Sequence, residues 1–432
     1  MPPTTSAFPK RLAIGTSQFD QLRVLLASLV GRNPFYTAKF EAAGAPYKVR
    51  HLGELAEFIP FTTKAEIVAD QEAHPPYGTN LTFPLDRYTR MHQTSGTSGT
   101  PIRWLDTPES WDWMLRNWEQ VYRAANVARG DRIFFAFSFG PFLGFWTAFE
   151  SAARFGALCL SGGAMSTAAR LRSIFDNQAN VLCCTPTYAV RLAEVAVAEK
   201  IDLTQSPVKL LIVAGEPGGS IPATRSRLEQ LWPGARVFDH HGMTEVGPVT
   251  YECPAQPGRL HVIETSYLTE VIHPETGRQV ESGETGELVL TTLGRVGSPL
   301  LRYRTGDLVK LALDTMCECG RNDLALEGGI LGRTDDMIVV RGVNIYPSAV
   351  EQIVTSCAAV MEYRVRVLTK HALPEIEVDV ETTAGADAGT IVEQLQADFD
   401  HAFRMRVPVF VVPHGALPRA EGKAKRVLRV EG

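Results

Sequence analysis

Short apolar runs alternate with helical patterns between about residues 130 and 240. Runs such as NVLCCTP and KLLIVAGEP predict buried strands, and segments such as PTYAVRLAEVAVAEK, with apolar residues at helical spacing, predict the connecting helices. Strands this apolar are typical of a parallel sheet covered by helices on both faces. Binding sites in such sheets lie beyond the carboxyl ends of strands, where the Gly, Glu and His residues of these runs fall.

One apolar run, residues 133–149, carries no charge and extends for seventeen residues. It is shorter than a full membrane span and contains a Gly-Pro pair, so it predicts a strand over Ile133–Phe139 and a helix from near Phe142. We therefore expect no membrane contact. The first fifteen residues lack the apolar core of a signal peptide, and the expected compartment is the cytoplasm.

The pattern changes after about residue 255 to alternating polar and apolar positions. The segments YLTEVIHPETGRQV, GELVLTTL and RYRTGDLVKLAL predict an antiparallel, β-barrel-like subdomain. From Ser348 a helical pattern, two alternating runs and a second helical pattern predict a small α+β domain. The predicted fold class is therefore α/β, with parallel sheets and helices, a barrel-like part and a small C-terminal part.

The composition excludes some classes of protein. The 432 residues predict two or three domains, and 43 basic against 48 acidic residues give a net charge of −5. That balance excludes the strongly basic surface of a general nucleic-acid binder. Seven cysteines, including the adjacent Cys183 and Cys184, do not form the pattern of a disulfide scaffold and favour a reducing compartment.

The segment QTSGTSGTP, residues 93–101, combines five hydroxyl side chains with two glycines. Many donors and little bulk suit a loop that cradles phosphate oxygens, although a flexible surface loop has the same composition. It is not a Walker loop, which needs Gly-Lys-Ser/Thr at fixed spacing.

Four further segments follow in order: HHGMTEVGP, YRTGDL, GRTDDMIVVRGVNIYPSAVE and PRAEGKAKR. The ordered set resembles the acyl-adenylating (ANL) superfamily, and RYRTGDL, CECGR and EGKAKRV resemble its phenylacetate-CoA ligase branch. The resemblance implies an N-terminal adenylate-forming domain over residues 1–334 and a small mobile C-terminal domain over residues 335–432, with Asp335 at the hinge. It also implies an ATP-dependent aryl-acid:CoA ligase that forms an acyl-adenylate and then a thioester.

The resemblance assigns the polar residues of the motifs to the nucleotide. Glu245 matches the Mg²⁺-binding glutamate, although alone it reads as a solvated loop acid, and Thr244 matches the hydroxyl that contacts the α-phosphate. His241 stands where relatives have an aromatic ring on adenine, and Asp307 where an aspartate binds the ribose. The loop for the β- and γ-phosphates would comprise Thr94, Ser95, Gly96, Thr97, Ser98 and Gly99, with Thr100 where the family often has Lys.

The remaining matches concern the adenine pocket, the tail and the thiol channel. The turn lining the adenine pocket would comprise Gly215, Glu216 and Pro217. Arg333 matches an arginine near the ribose and phosphates; the alternatives are that it caps a helix or pairs with Asp335 or Asp336. Gly342 would line the pantetheine tunnel of coenzyme A. Lys423 matches the catalytic lysine, with Lys425, Arg426 and Arg429 as nearby competitors.

The acyl pocket is predicted from the aromatic run. One alternating set, Phe135, Phe137 and Phe139 or their neighbours, can face an acid substrate, and most of the other rings pack the core. Aromatic walls favour benzoate-, anthranilate- or phenylacetate-like acids. His240 is either a pocket residue or a packed histidine.

Cys253, His261, Cys317 and Cys319 offer three sulfurs and one nitrogen, a set suited to structural Zn²⁺. The spacing is not that of a standard finger, and free cysteines with a surface histidine are the alternative from sequence alone. Some phenylacetate-CoA ligase-like proteins carry such a site, which favours zinc.

Two other functions stay open. The same fold could load a carrier-protein thiol or transfer AMP to another acceptor, and a non-catalytic nucleotide-binding protein is the alternative from a different class. The presence of Glu245, Asp307 and Lys423 together argues against the latter. The sequence leaves the oligomeric state open, and a homodimer is compatible with it.

Overall fold

The computed structural model describes residues 8–94, 100–313, 316–340, 343–370, 373–420 and 424–430, with only the backbone at 344, 369, 370 and 373. The chain divides into two compact units, Met1–Ala164 with Phe238–Gly329, and Met165–Val237 with Ile330–Gly432. The second unit therefore combines residues 165–237 with the C-terminal part of the chain. The domain boundary near residue 335 stays a prediction.

The α-helices of the described residues are α1 (Arg11–Leu29), α2 (Pro34–Ala43), α3 (Gly53–Phe58), α4 (Lys64–Ala73), α5 (Pro108–Ala124), α6 (Gly144–Phe155), α7 (Thr167–Asp176), α8 (Pro186–Ala198), α9 (Pro222–Leu231), α10 (Pro347–Ser356) and α11 (Ala388–Phe403). The strands are β1 (Arg90–Gln93), β2 (Arg103–Asp106), β3 (Arg132–Phe135), β4 (Leu158–Ser161), β5 (Val181–Cys184), β6 (Leu210–Val213), β7 (Arg236–Asp239), β8 (Gly242–Met243), β9 (Gly247–Pro248), β10 (Thr250–Glu252), β11 (Arg259–Val262), β12 (Tyr267–Ile272), β13 (Thr285–Thr292), β14 (Tyr303–Leu311), β15 (Ala325–Arg333), β16 (Ile338–Val340), β17 (Val343–Ile345), β18 (Val360–Lys370), β19 (Leu373–Thr382), β20 (Val409–Val412) and β21 (Val427–Val430).

Helices begin directly after strands where a capping residue and a proline follow each other. Thr107 follows β2, accepts a hydrogen bond from the Ser110 main chain and precedes a proline at the first position of α5. Thr185 follows β5 and caps α8 in the same way, through the Tyr188 main chain. The threonine side chain accepts a hydrogen bond from a main-chain N–H that has no partner inside the helix. Proline has no main-chain N–H, so it fits the first helical position, where that group would have no helical partner.

The first unit contains a parallel pair and an antiparallel sheet. Strands β3 and β4 pair in parallel from Arg132↔Leu158 to Phe135↔Ser161. The antiparallel sheet has six strands in the order β10-β11-β15-β14-β13-β12, which confirms the predicted antiparallel subdomain. Helices α1 to α3 pack beside it on a core that includes Leu22, Leu25 and Tyr36.

The aromatic run forms a shorter strand than the sequence predicts. Strand β3 ends at Phe135 rather than Phe139, and α6 begins at Gly144. The intervening loop is held to β1 through the Pro141 carbonyl, which accepts a hydrogen bond of 2.8 Å from the Gln93 main chain. The loop therefore forms a backbone hydrogen bond with β1, outside the β3–β4 pairing.

The second unit combines parallel strands with an α+β part. Strands β5 and β6 pair in parallel, with α7, α8 and α9 in the same unit. Strands β20, β19, β18 and β21 form a four-stranded sheet in that order, and its apolar face packs on α10 and α11 around Val354, Leu395 and Phe399. The predicted α/β class and small C-terminal α+β part are confirmed. Among the described helices, none has both the length and the apolar character that a bilayer crossing requires.

Candidate active site

Thr244 and Glu245 lie in the turn of a two-stranded hairpin formed by β8 and β9. The strands approach closely because both contain glycine: a Cβ on Gly242 would lie 2.8 Å from the Gly247 carbonyl oxygen, and Gly247 has a φ of +88°. Such a backbone conformation strains any residue with a side chain. Thr244 and Glu245 therefore lie on a short turn whose backbone requires glycine on both sides.

A buried arginine holds the backbone of this turn. The Arg295 Nη1 group donates to the carbonyls of both Thr244 and Glu245, each at 2.8 Å. Its Nε and Nη2 groups donate to the two oxygens of Asp106 at 2.7 Å, and neither side chain has exposed surface. The Tyr267 hydroxyl donates to the next carbonyl at 2.7 Å. Three successive carbonyls of the turn are thus fixed by side chains.

The structure brings His241 and Asp307 together. The His241 Nε2 atom lies 3.2 Å from the Asp307 Oδ2 atom, so the two form an ion pair whenever the imidazole is protonated. The His241 main-chain amide donates to the Thr250 hydroxyl at 3.0 Å, which fixes the start of the hairpin. Asp307 is buried on β14. Two residues predicted to contact the nucleoside are therefore neighbours.

His240 has the contacts of a packed histidine. Its Nδ1 atom lies 2.6 Å from the Thr250 carbonyl, which can only accept, so Nδ1 carries the proton. Its ring centroid is 4.3 Å from that of Trp118. Burial lowers the pKa of His240 to about 3, against the opposing effect of the Thr250 hydrogen bond. The imidazole is therefore neutral at physiological pH, and a role at the substrate stays a prediction.

Thr94 closes the base of the predicted phosphate loop. Its main-chain amide donates to the Ile102 carbonyl and its hydroxyl accepts from the Ile102 amide, both at 3.0 Å. Strands β1 and β2 pair on either side of this closure. The other residues predicted to hold the phosphates lie outside the described residues: Ser95, Gly96, Thr97, Ser98 and Gly99.

Six rings, which we call the aromatic cluster, contact one another in the first unit: Phe135, Phe137, Phe139, Phe145, Trp146 and Phe149. Phe135 has no exposed surface, whereas Phe137 and Phe139 are half-buried. Strand β3 is buried on both faces, so alternation along it does not separate core rings from pocket rings. Of the three predicted pocket residues, Phe137 and Phe139 retain accessible ring surface.

The three residues predicted to line the adenine pocket lie in the second unit. Gly215 and Pro217 are exposed on either side of Glu216, whose carboxylate accepts hydrogen bonds from the main chain of Thr187 at 2.8 Å and of Ala424 at 2.9 Å. The turn at 215 has a φ of +96°, which favours glycine. The contacts of Glu216 with adenine stay a prediction.

Arg333 and Asp335 are paired in this structure, with Arg333 Nε 2.8 Å from Asp335 Oδ1. Both side chains are substantially exposed, at 36% and 55%. This pairing is one of the alternatives to an Arg333 contact with the nucleotide, and an ion pair this exposed contributes little to stability. Gly342 and Lys423 lie outside the described residues.

Cys253, His261, Cys317 and Cys319 converge, as predicted. Their ligand atoms all lie within 4.8 Å of one another. The Cys253 and Cys317 sulfurs are 3.4 Å apart, and the Cys319 sulfur is 3.4 Å from His261 Nε2. The residues come from β11, from the segment after β10 and from the turn before β15, so the antiparallel sheet assembles the cluster.

The surroundings of the cluster favour metal ligation. The Asp323 carbonyl lies 3.2 Å from His261 Nδ1, so that nitrogen carries the proton and the lone pair of Nε2 faces the sulfurs. Burial opposes ionisation of Cys317, but hydrogen bonds from the Cys319 main chain, Cys253 and Arg259 outweigh it and lower the pKa of this thiol. Three sulfurs and one imidazole nitrogen form the donor set that Zn²⁺ accepts in closed tetrahedral sites.

Sequence reasoning missed the buried pair of Arg295 and Asp106. Arg295 stands alone in the segment TTLGRVGSPLL, and Asp106 ends the strand RWLD. A single charge in an apolar stretch is a signal for a buried, paired group, but it names no partner. The 189 residues that separate the two in sequence hide their contact.

Comparisons with known proteins agree with the motifs. The model of the family described as AMP-binding enzyme matches residues 68–294, and that of the AMP-binding enzyme C-terminal domain matches residues 342–429. Phenylacetate-coenzyme A ligase of Thermus thermophilus is 32% identical over 95% of each chain. Its namesake from Escherichia coli is 31% identical over 95% of this chain and 93% of that one.

A solved structure matches the whole chain. The crystal structure of a 2-hydroxyisobutyryl-CoA ligase in the postadenylation state, in complex with an acyl-AMP, has a TM-score of 0.92 at 27% identity. The match covers 100% of this chain and 94% of that chain. The same ligase in the thioesterification state with CoA has a TM-score of 0.73.

Proposed function

We propose, from the premise that the chain belongs to the AMP-binding enzyme family and is an AMP-forming acid–CoA ligase, that its substrate is an aryl carboxylic acid. The reaction class is that of an ATP-dependent acyl-CoA ligase acting through an acyl-adenylate. The observation that supports an aryl substrate is the half-buried ring surface of Phe137 and Phe139 within the aromatic cluster. Flat rings stack on such walls, and phenylacetate-, benzoate- or anthranilate-like acids fit them.

In the proposed first step, an oxygen of the acid attacks the α-phosphorus of ATP and the bond to pyrophosphate breaks. Glu245 would hold the Mg²⁺ that accompanies ATP, since hard oxygen ligands suit that ion, and Thr244 would donate its hydroxyl to the α-phosphate. The buried carboxylate of Asp307 would accept hydrogen bonds from the ribose hydroxyls, with His241 as its neighbour.

Lys423 is proposed to stabilise the negative charge that develops between the acid and the α-phosphate. In the second step the CoA thiol adds to the acyl carbonyl and AMP leaves. Gly342 would line the thiol channel, where a side chain would obstruct it. Both residues lie within residues 342–429, the span matched by the C-terminal domain family model.

The cluster of Cys253, His261, Cys317 and Cys319 is proposed to hold a structural Zn²⁺. All four positions would be filled by protein ligands, so no position would remain for substrate. The ion would tie the segment after β10 to the turn before β15.

A small hydroxy acid is the second candidate substrate. The support is the TM-score of 0.92 with a 2-hydroxyisobutyryl-CoA ligase. A branched C4 acid would leave much of the aromatic surface without contact, so the two candidates differ in the ring area that the acid buries.

The deciding experiment is acid-dependent ATP–pyrophosphate exchange, followed by CoA thioester formation, with phenylacetate, benzoate, anthranilate, 2-hydroxyisobutyrate and palmitate. We expect kcat/KM to be highest for one of the aryl acids, and Phe139→Ala to lower it for that acid more than for 2-hydroxyisobutyrate. A fitted ring contact is worth about 1–3 kcal/mol, or roughly 5- to 150-fold. Preference for 2-hydroxyisobutyrate would replace the aryl proposal by the second candidate, and preference for palmitate would refute both.

A further inference from the structure

Glu216 joins two parts of the second unit that are distant in sequence. Its Oε1 atom accepts a hydrogen bond of 2.8 Å from the Thr187 main-chain amide, and its Oε2 atom accepts one of 2.9 Å from the Ala424 amide. The first donor belongs to α8 and the second lies 208 residues from Glu216. One carboxylate therefore bridges a helix and the C-terminal tail.

The helix end explains why a carboxylate occupies this position. Thr185 caps α8 and Pro186 takes the first helical position, so Thr187 presents an amide without a partner inside the helix. The positive end of the helix dipole also favours a negative group there. The Glu216 side chain satisfies this amide with one oxygen, which leaves the other oriented toward the tail.

Other polar contacts hold the tail beside α8. Arg426 donates from Nε to Glu362 at 2.7 Å, and its Nη1 group lies 3.4 Å from the Thr187 hydroxyl. Its guanidinium also lies over the Tyr363 ring, 4.9 Å from the centroid. These contacts fix the chain two residues beyond Ala424. The Glu216 hydrogen bond is the contact of this group that reaches closest in sequence to Lys423.

We propose that Glu216 is a positioning residue for adenylation, which anchors the main chain next to Lys423 against the N-terminus of α8. The inference rests on the proposed role of Lys423. A peptide unit is planar, so an anchor on the Ala424 amide restrains the unit that joins it to the preceding residue. A charged group that must stabilise a transition state loses much of its effect when its support is loosened.

The test separates the two half-reactions in the full-length chain. Glu216→Ala should lower kcat of acid-dependent pyrophosphate exchange by about 10- to 100-fold, the loss typical of a charge-assisted hydrogen bond. At saturating acyl-adenylate and CoA, kcat of thioester formation should stay at the parent value. Loss of an adenine contact would instead raise KM for ATP and for the acyl-adenylate, which separates that role from positioning of the tail. Glu216→Gln, which retains one acceptor oxygen, should give an intermediate rate of exchange. Hydrogen exchange of peptides that contain the Ala424 amide should accelerate in Glu216→Ala.

Glu194 provides the matched control. Its Oε2 atom lies 3.6 Å from Arg419 Nε, so it too joins α8 to the C-terminal part of the unit. Among the described residues, this link is made at Arg419 and not at Ala424. A partly exposed ion pair contributes little, and Glu194→Ala should change pyrophosphate exchange by less than about fivefold. An equal loss in both variants would mean that general loosening, and not anchoring of the tail, is the cause.

Lys423→Ala distinguishes failure of this inference from failure of the proposed function. If Lys423→Ala exchanges pyrophosphate normally, the assignment of the lysine is wrong. If Lys423→Ala is inactive in exchange while Glu216→Ala matches the parent, the lysine assignment stands and the positioning role of Glu216 is overturned. If Glu216→Ala and Glu216→Gln, both folded by circular dichroism, lose the two half-reactions equally, the role is structural and the inference is also overturned.

Discussion

Replacing Arg295 by methionine should destabilise the first unit and loosen the turn that carries Glu245. The guanidinium makes four hydrogen bonds, two to Asp106 and one each to the carbonyls of Thr244 and Glu245. Methionine has a similar length but provides no donor. The Arg295→Met variant would therefore leave a buried carboxylate without a counter-charge and two carbonyls without that donor.

The expected cost follows from the burial of the pair, whose side chains are both 0% exposed. Removing one partner of a buried ion pair costs about 3–5 kcal/mol, because the other charge stays desolvated. At about 2–4 °C per kcal/mol for a unit of this size, Tm should fall by roughly 6–20 °C. The double variant Asp106→Leu/Arg295→Met removes both charges and should recover part of this loss.

Arg302 offers a control of the same chemistry away from the turn. It pairs with both oxygens of Glu270, at 2.8 and 2.9 Å, and donates to the carbonyls of Ala56 and Ile59. Arg302→Met should lower Tm comparably. At a temperature where both variants are folded, its pyrophosphate exchange should equal that of the parent, whereas Arg295→Met should lose about 10- to 100-fold through misplacement of the turn.

Differential scanning calorimetry and pyrophosphate exchange at several Mg²⁺ concentrations measure the two effects. A Tm within about 2 °C of the parent for Arg295→Met would show that the pair contributes less than about 1 kcal/mol and would refute the estimate. Equal losses of exchange in the two variants, both folded, would show that the carbonyl contacts of Arg295 have no special effect on the turn.

Three further predictions concern the metal cluster, a buried carboxyl and the thiol channel. The purified protein should contain about one zinc per chain by mass spectrometry of the metal, and Cys317→Ser should lower Tm while leaving the ranking of acids unchanged; a zinc-free protein of full stability would contradict this. Burial raises the pKa of Glu351 to about 7, against the opposing effect of Arg426. Because the folded state then binds the proton more tightly than the unfolded state, the free energy of unfolding should fall as pH rises from about 4.5 through 7. Glu351→Gln should remove this loss of stability, which is on the order of 3 kcal/mol. Identical pH profiles of Tm for the parent and the variant would contradict this prediction. Gly342→Leu should keep pyrophosphate exchange and lose thioester formation, and retention of both would mean that no channel passes residue 342.

The local sequence pattern was sufficient to predict the fold class and the family. Apolar runs such as LLIV of β6, bounded by turn residues, predicted strands because a buried strand is apolar on both faces whatever lies beside it. The motifs were recognisable for a related reason: HGMTE and RTGDL are short, and the turn or strand that each forms depends on adjacent residues. Convergence of Cys253, His261, Cys317 and Cys319 was likewise predicted and is confirmed, although their ligation of zinc stays a proposal.

The strand over the aromatic run was predicted too long. Alternation assigns rings to a pocket face or a core face only when one face is exposed, and Phe134 and Phe135 are both fully buried. Only the packing of β3 shows that Phe135 belongs to the core while Phe137 and Phe139 stand in the loop beyond it.

Contacts between residues distant in the chain were decided by tertiary structure alone. Nothing in the segments around Asp106 and Arg295, or around Glu216 and Ala424, identifies one as the partner of the other, since each pair is about 190 or more residues apart. From the sequence one can conclude only that a charged side chain or a main-chain amide needs a hydrogen-bonding or ionic partner if it is buried. Which group supplies it depends on how strands and helices pack, and the sequence therefore determined the chemistry of this protein, while the packing decided how its reacting groups are held.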